Sequence, residues 1–313
     1  KKAAPLVQEA DASRSTEEEA ATRSSRDLDA ENGTADSFTI QLNADGTPAG
    51  YGDGEHWYYS AASGCQLDTG VFALQPSSEP EAESALKARL FRIGDNAELV
   101  RGTVGCETIN YGTIFDGIFQ GKVTNFRTIS GGTFQKPVNN YGGTISGGIF
   151  KKAVEVYASA GHNATIEGGT FEKGMKLAND DASITISDGL FDGEVFIERC
   201  RSPLSITGGL FTQAVNASSI DDPTNLQITG GYFVSEPTLP NGSNIAFTSV
   251  SDQNGRHFQV LVNKGWSENN YNELYVPSGS SEQPNTITVK TAAPLTDCLA
   301  GDASIMDKVR TNA

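Results

Sequence analysis

One seven-residue phrase recurs along the middle of the chain, and it restricts the available folds more than any other feature. It reads TIFDGIF from Thr113 to Phe119, TISGGTF from Thr128 to Phe134 and TISGGIF from Thr144 to Phe150. It continues as TIEGGTF (165–171), TISDGLF (185–191), SITGGLF (205–211) and QITGGYF (227–233). Successive copies start 15, 16, 21, 20, 20 and 22 residues apart. A short, nearly fixed period marks a repeat architecture, in which each unit buries its apolar face only against its neighbours.

The period is too short for a strand–helix–strand unit, which needs about 30 residues. Within each copy an isoleucine precedes the phenylalanine by five residues, and in the first six an apolar residue follows four later. Ile114/Phe119/Val123, Ile129/Phe134/Val138 and Ile166/Phe171/Met175 are examples. This suits one turn of a coil made of three short strands, each pointing one apolar residue inward. The Gly-Gly or Asp-Gly pair is the corner between the first two strands, where a tight turn demands positive φ. Stacked coils place like residues about 4.8 Å apart, so isoleucines and phenylalanines form interior ladders. The expectation is an all-β chain: a parallel β-helix, or β-solenoid, with three-strand coils and capping segments at both ends. Length changes fall after the third strand, so 157–163, 177–183 and 199–204 should form loops on one side. Pro237 stands where the seventh copy needs its third apolar residue, which ends the pattern.

The flanks divide the rest. Residues 1–36 are acidic and poor in large apolar groups, as a disordered leader would be. Residues 37–104 are expected to supply an N-terminal cap and irregular first coils, with a strand at Phe38–Leu42 and a degenerate eighth copy at 66–72. Ala85–Val100 fits either a short helix or two strands. The solenoid and its C-terminal cap should run over 105–262, with strand signals at 244–247 and 258–262. Residues 263–313 form a linker and tail, with a strand signal at Thr286–Val289.

The stacked phrases resemble the right-handed parallel β-helix repeats of bacterial surface and adhesin-like proteins, of the pectin-lyase-like fold. The resemblance covers 105–235, and Gly54–Leu67 is similar to an opening coil. It implies fold and a secreted or cell-surface location. Pectate lyases, polygalacturonases and phage tailspikes share the fold class, so no activity is selected.

Charge narrows the partners. A net charge of −16 and a pI near 4.6 disfavour nucleic acid and anionic membranes. No run of eighteen apolar residues is present, so no membrane insertion by a helix is expected. The chain opens Lys1-Lys2-Ala3 without an apolar stretch, as a trimmed, monomeric module of a longer protein would. Four cysteines (Cys65, Cys106, Cys200, Cys298) allow three disulfide pairings. Cys65 with Cys106 is one candidate pair, and unpaired buried thiols are the alternative. None forms a C-x-x-C pair, and His56, His162 and His257 lack ligand neighbours at metal spacing, so neither metal nor cofactor is expected.

Side chains that carry chemistry are few. Asp188 and Asp192 flank the Phe191 strand, and a hydrolase of this fold needs two carboxylates about 5–9.5 Å apart. Asp116 occupies the same corner as Asp188, and aspartate also replaces glycine at corners because it tolerates turns. No catalytic assignment is therefore made. Lys136, Lys151, Lys152 and Lys173 follow the phenylalanines, with Arg127 nearby, and form a row suited to an acidic glycan. Thr113, Thr128, Thr144, Thr165, Thr185 and Ser205 should form an outward hydroxyl ladder, bonded along the stack. Ile118, Thr133, Ile149, Thr170, Leu190, Leu210 and Tyr232 should face outward as a rather apolar row, covered by a flanking segment, 37–104 first, or by a partner. The functional expectation is a non-enzymatic adhesin-like module that binds a glycan or a surface protein, or serves as a stalk. A polysaccharide lyase or hydrolase and a purely structural spacer are the alternatives.

Overall fold

The computed structural model describes residues 36–76, 84–243, 245–251, 257–263 and 288–289. The expected leader up to residue 35, nearly all of the expected linker and tail, and Cys298 lie outside the described residues. Each phrase folds into two two- or three-residue strands, and each but the last is followed by a third strand. The first coil of the regular series is Thr113–Ile114, Ile118–Phe119 and Val123–Asn125. Pairing between coils is parallel and in register. Ile129 pairs with Ile114 and Ile145, Phe134 with Phe119 and Phe150, and Val138 with Val123 and Val154. The register persists to Ile206↔Ile228 and Phe211↔Phe233. The protein is a parallel β-helix.

The core is a set of columns. Seven phenylalanines from Phe119 to Phe233 stack with centroids 4.5–5.0 Å apart and planes within 10°, all fully buried. Offset stacking at such distances adds to the area each ring removes from water. The isoleucine column runs beside it, also buried. The second glycine of the phrase makes the corner: Gly132, Gly148 and Gly169 have φ of +99°, +107° and +108°. The residue before it keeps an ordinary φ, so aspartate can stand there. Asp116 and Asp188 do so, each accepting the N–H of the following glycine at 2.7 Å.

Residues 37–104 extend the stack instead of lying across it. In chain order β1 is Ser37–Leu42, β2 Trp57–Ser60, β3 Gly64–Pro76 and β4 Phe91–Arg101. β1 lies parallel on β3, β3 on β4, and β4 on Thr108–Asn110 and Thr113–Ile114. The undecided stretch around 85–100 is thus largely strand. The expected cover over the apolar row is not formed by these residues. Along that row Ile118 is exposed, Ile149 half-buried, and Leu190 and Tyr232 buried. The degenerate copy at 66–72 is also corrected. Phe72 pairs with Leu99, which pairs with Ile114, so it enters the isoleucine column. The phenylalanine column continues instead through Val104 and Leu86. The reason is that Leu67 pairs with Ile93, the partner of Asn110, so the stretch passes from a third strand into a first one, its register shifting after Leu67.

The C-terminal end is closed by an antiparallel hairpin, Ile245–Ser251 with His257–Asn263, joined to the last coil through Phe233↔Gln259. Phe247 meets the last ladder ring, Phe233, edge-on at 5.4 Å. The short strand Thr288–Val289 pairs with Val250 and Ser251.

Candidate functional site

The third strand and the corner after it carry what the core does not require. Alternation along a strand turns Val138 inward, Asn139 outward, Asn140 inward and Tyr141 outward. The inward asparagines form a second polar core. Asn110 Nδ2 donates to Asn125 Oδ1 at 2.6 Å, and Asn125 Nδ2 donates to Asn140 Oδ1 at 2.6 Å. Asn140 Nδ2 then donates to the Gly143 carbonyl at 2.7 Å, and Asn110 Oδ1 accepts the Gly112 N–H at 3.1 Å. All three are fully buried. They satisfy the backbone of a corner too tight to bond itself. Where the loop lengthens, Val156, Leu177 and Ile197 fill that column. The capping moves two residues on, to Asn179, which donates to Ala182 and Ser202 carbonyls.

Outside this corner runs an aromatic ladder. Tyr111 and Phe126 stack at 5.0 Å and 9°, Phe126 and Tyr141 at 5.7 Å and 24°, and Tyr157 meets Tyr141 edge-on at 6.3 Å. Tyr111, Phe126 and Tyr141 are 36%, 41% and 39% exposed, so three consecutive rings stand equally open to solvent. They account for half of the six exposed large hydrophobics among the described residues. The far end is polar. The Tyr157 hydroxyl donates to the Asp180 carboxylate, which also receives Arg199 Nη2 and Arg201 Nη1, each at 3.1 Å. The tyrosine hydroxyl, then the two arginines, hold the Asp180 carboxyl below its ordinary range. Arg199 also lies 5.7 Å from the Tyr157 ring centre.

The lysines border the opposite side of the same face. Phe-to-Val spacing is four residues in each coil, so Lys136, Lys152 and Lys173 fall in one exposed column, with Lys151 one column over. Sequence reasoning found this row but missed the ladder. Asp188 and Asp192 are not brought into a shared pair of contacts. Asp188 caps Gly189, and Asp192 accepts the Thr212 hydroxyl at 3.1 Å. The threonine row is in register and half-buried, but among the described residues its hydroxyls make no hydrogen bonds to one another. The expected bonding along that row is not made.

Cys65, Cys106 and Cys200 are free thiols, so the Cys65–Cys106 pairing is not formed. His56 Nδ1 is 2.8 Å from Asp53 Oδ2, and this contact foremost raises its pKa. Among the described residues no group of three or more His, Cys, Asp or Glu is placed to hold a metal. None of their helices is long and apolar enough to cross a membrane. An open cleft of about 440 Å³ lies beside Arg199 and Arg201, but its lining also holds Glu198, Asp221 and Asp222. Comparison with protein-family models, with curated proteins and with solved structures returned no match.

Proposed function

We propose that this chain is a non-enzymatic, secreted or cell-surface adhesin-like module that binds a glycan on the face of its third strands. The observation that carries this reading is the row of exposed, mutually stacked rings at Tyr111, Phe126 and Tyr141. Stacking of coils is secured by the interior columns, so solvent-facing rings add nothing the fold needs. Aligned exposed apolar surface of this kind marks interaction sites.

A polysaccharide and glycan array tests the reading, scoring retained protein and loss of immobilised glycan together. Retention without loss is expected. Loss of glycan would favour a depolymerising enzyme of the pectin-lyase-like class. Silence on every spot would favour a protein-binding adhesin or a spacer.

A further inference from the structure

The aromatic ladder has neighbours that narrow its ligand further. On one side lies the half-buried Thr124, with Asn139 buried beside it and donating to the Tyr141 hydroxyl at 3.3 Å, and on the other the half-buried hydroxyls of Thr113, Thr128 and Thr144. Across the three coils of Tyr111, Phe126 and Tyr141, the corner adds Gly112, Arg127, Gly142 and Gly143, so Arg127 is its one charge. The lysine column is remote. Five residues separate Lys136 from Tyr141, or roughly 16 Å of extended chain. That exceeds the Debye length of about 8 Å at physiological salt. Rings and hydroxyls with the single charge of Arg127 among them suit a polyol whose C–H faces stack and whose hydroxyls hydrogen-bond.

Ring geometry sets the direction of the ligand. The 5.0 Å between nearly parallel Tyr111 and Phe126 rings exceeds a face-to-face contact of about 3.5–4.0 Å. The rings are therefore slipped like roof tiles, each showing part of a face. One ring is presented per coil, and a coil advances about 4.8 Å along the axis, close to the length of one pyranose in an extended chain. The threonine hydroxyls run parallel to the rings at the same interval.

We infer that the Tyr111–Phe126–Tyr141 ladder, with the Thr113–Thr128–Thr144 hydroxyls beside it, binds an uncharged polysaccharide lying along the solenoid axis, one sugar per coil. This rests on the glycan-binding reading above and names the class of glycan.

Calorimetry of the full chain tests it. The probes are the hexasaccharides of cellulose, mannan, laminarin and chitin, with hexagalacturonate as the charged comparison. At least one neutral hexasaccharide should bind, its disaccharide should bind far more weakly, and added salt should change little. Phe126→Ala should weaken binding about tenfold, while Lys152→Gln leaves it unchanged and both variants melt within about 4 °C of the parent. If only hexagalacturonate binds, with salt dependence and no response to Phe126→Ala, the inference falls while the glycan reading stands. If no hexasaccharide binds, both fall. A dimer in sedimentation that Phe126→Ser splits would assign the ladder to a second copy of the chain and overturn the inference.

Discussion

Phe126 lies on Tyr111 at the same 5.0 Å that separates Phe134 from Phe119, yet the first pair stands in solvent and the second is fully buried. The same coil repeat builds an aromatic column on both sides of its wall. Truncating one ring of each separates their roles. Phe134→Ala should cost about 3–5 kcal/mol, because it opens a cavity between two close-packed rings. Phe126→Ala should cost under about 1 kcal/mol, since its ring is already partly hydrated. Urea unfolding of both variants gives the comparison, and equal losses would mean the outer ladder is a structural element.

The asparagine relay should be as costly to interrupt as an apolar column. Asn125→Ala removes the acceptor of Asn110 and the donor to Asn140. Leaving buried amide groups short of partners costs about 1–3 kcal/mol each, so a loss of roughly 2–4 kcal/mol is expected. Denaturant midpoints measure it, and faster amide exchange at Gly112 would place the damage at the corner. A near-neutral Asn125→Ala would mean the relay is dispensable.

His56 should give the N-terminal coils a pH dependence. Its pKa in the folded protein is raised above the ordinary 6.5, first by the hydrogen bond to Asp53. A raised folded pKa contributes stability that is complete below the unfolded value and is lost as pH climbs through the folded one. The melting temperature should therefore fall as pH rises past about 6.5, and His56→Gln should flatten that portion of the curve. Parallel profiles for the two proteins would contradict the assignment.

The thiols should be unreactive until the chain opens. Burial pushes Cys65 up to about 12 and Cys200 up to about 11, far from the thiolate that alkylating agents need. Iodoacetamide at neutral pH should leave both unmodified in the native protein and label both in denaturant without reductant. Labelling of Cys65 and Cys106 only after reduction would reveal a disulfide.

Much of this was readable from the repeated phrase, because one apolar residue per strand at fixed offsets dictates interior columns. Two columns escaped that reading although their period was present. Tyr111, Phe126, Tyr141 and Tyr157 are spaced by 15, 15 and 16 residues, and Asn110, Asn125 and Asn140 by 15. They fall outside the phrase, in the third strand and its corner, where loop length varies and hides the period. Asparagine is also read more readily as a turn residue than as a core one. Phe72 misled for the opposite reason. Its neighbourhood imitates the phrase, but the stretch joins a third strand to a first one, which sets its register. Asp188 was legible as a corner residue, and its bond to Gly189 agrees.

The strict register has a further consequence for how such a protein can change. Adding or removing one coil leaves the contacts of the two apolar columns of the same kind, because each ring and isoleucine of the regular series meets its counterpart above and below. Outside, the same event lengthens or shortens the tiled row by a whole ring and never by a fraction. The reach of this surface is therefore a whole number of coils, adjustable by duplication of some fifteen to twenty-two codons without redesign of the core.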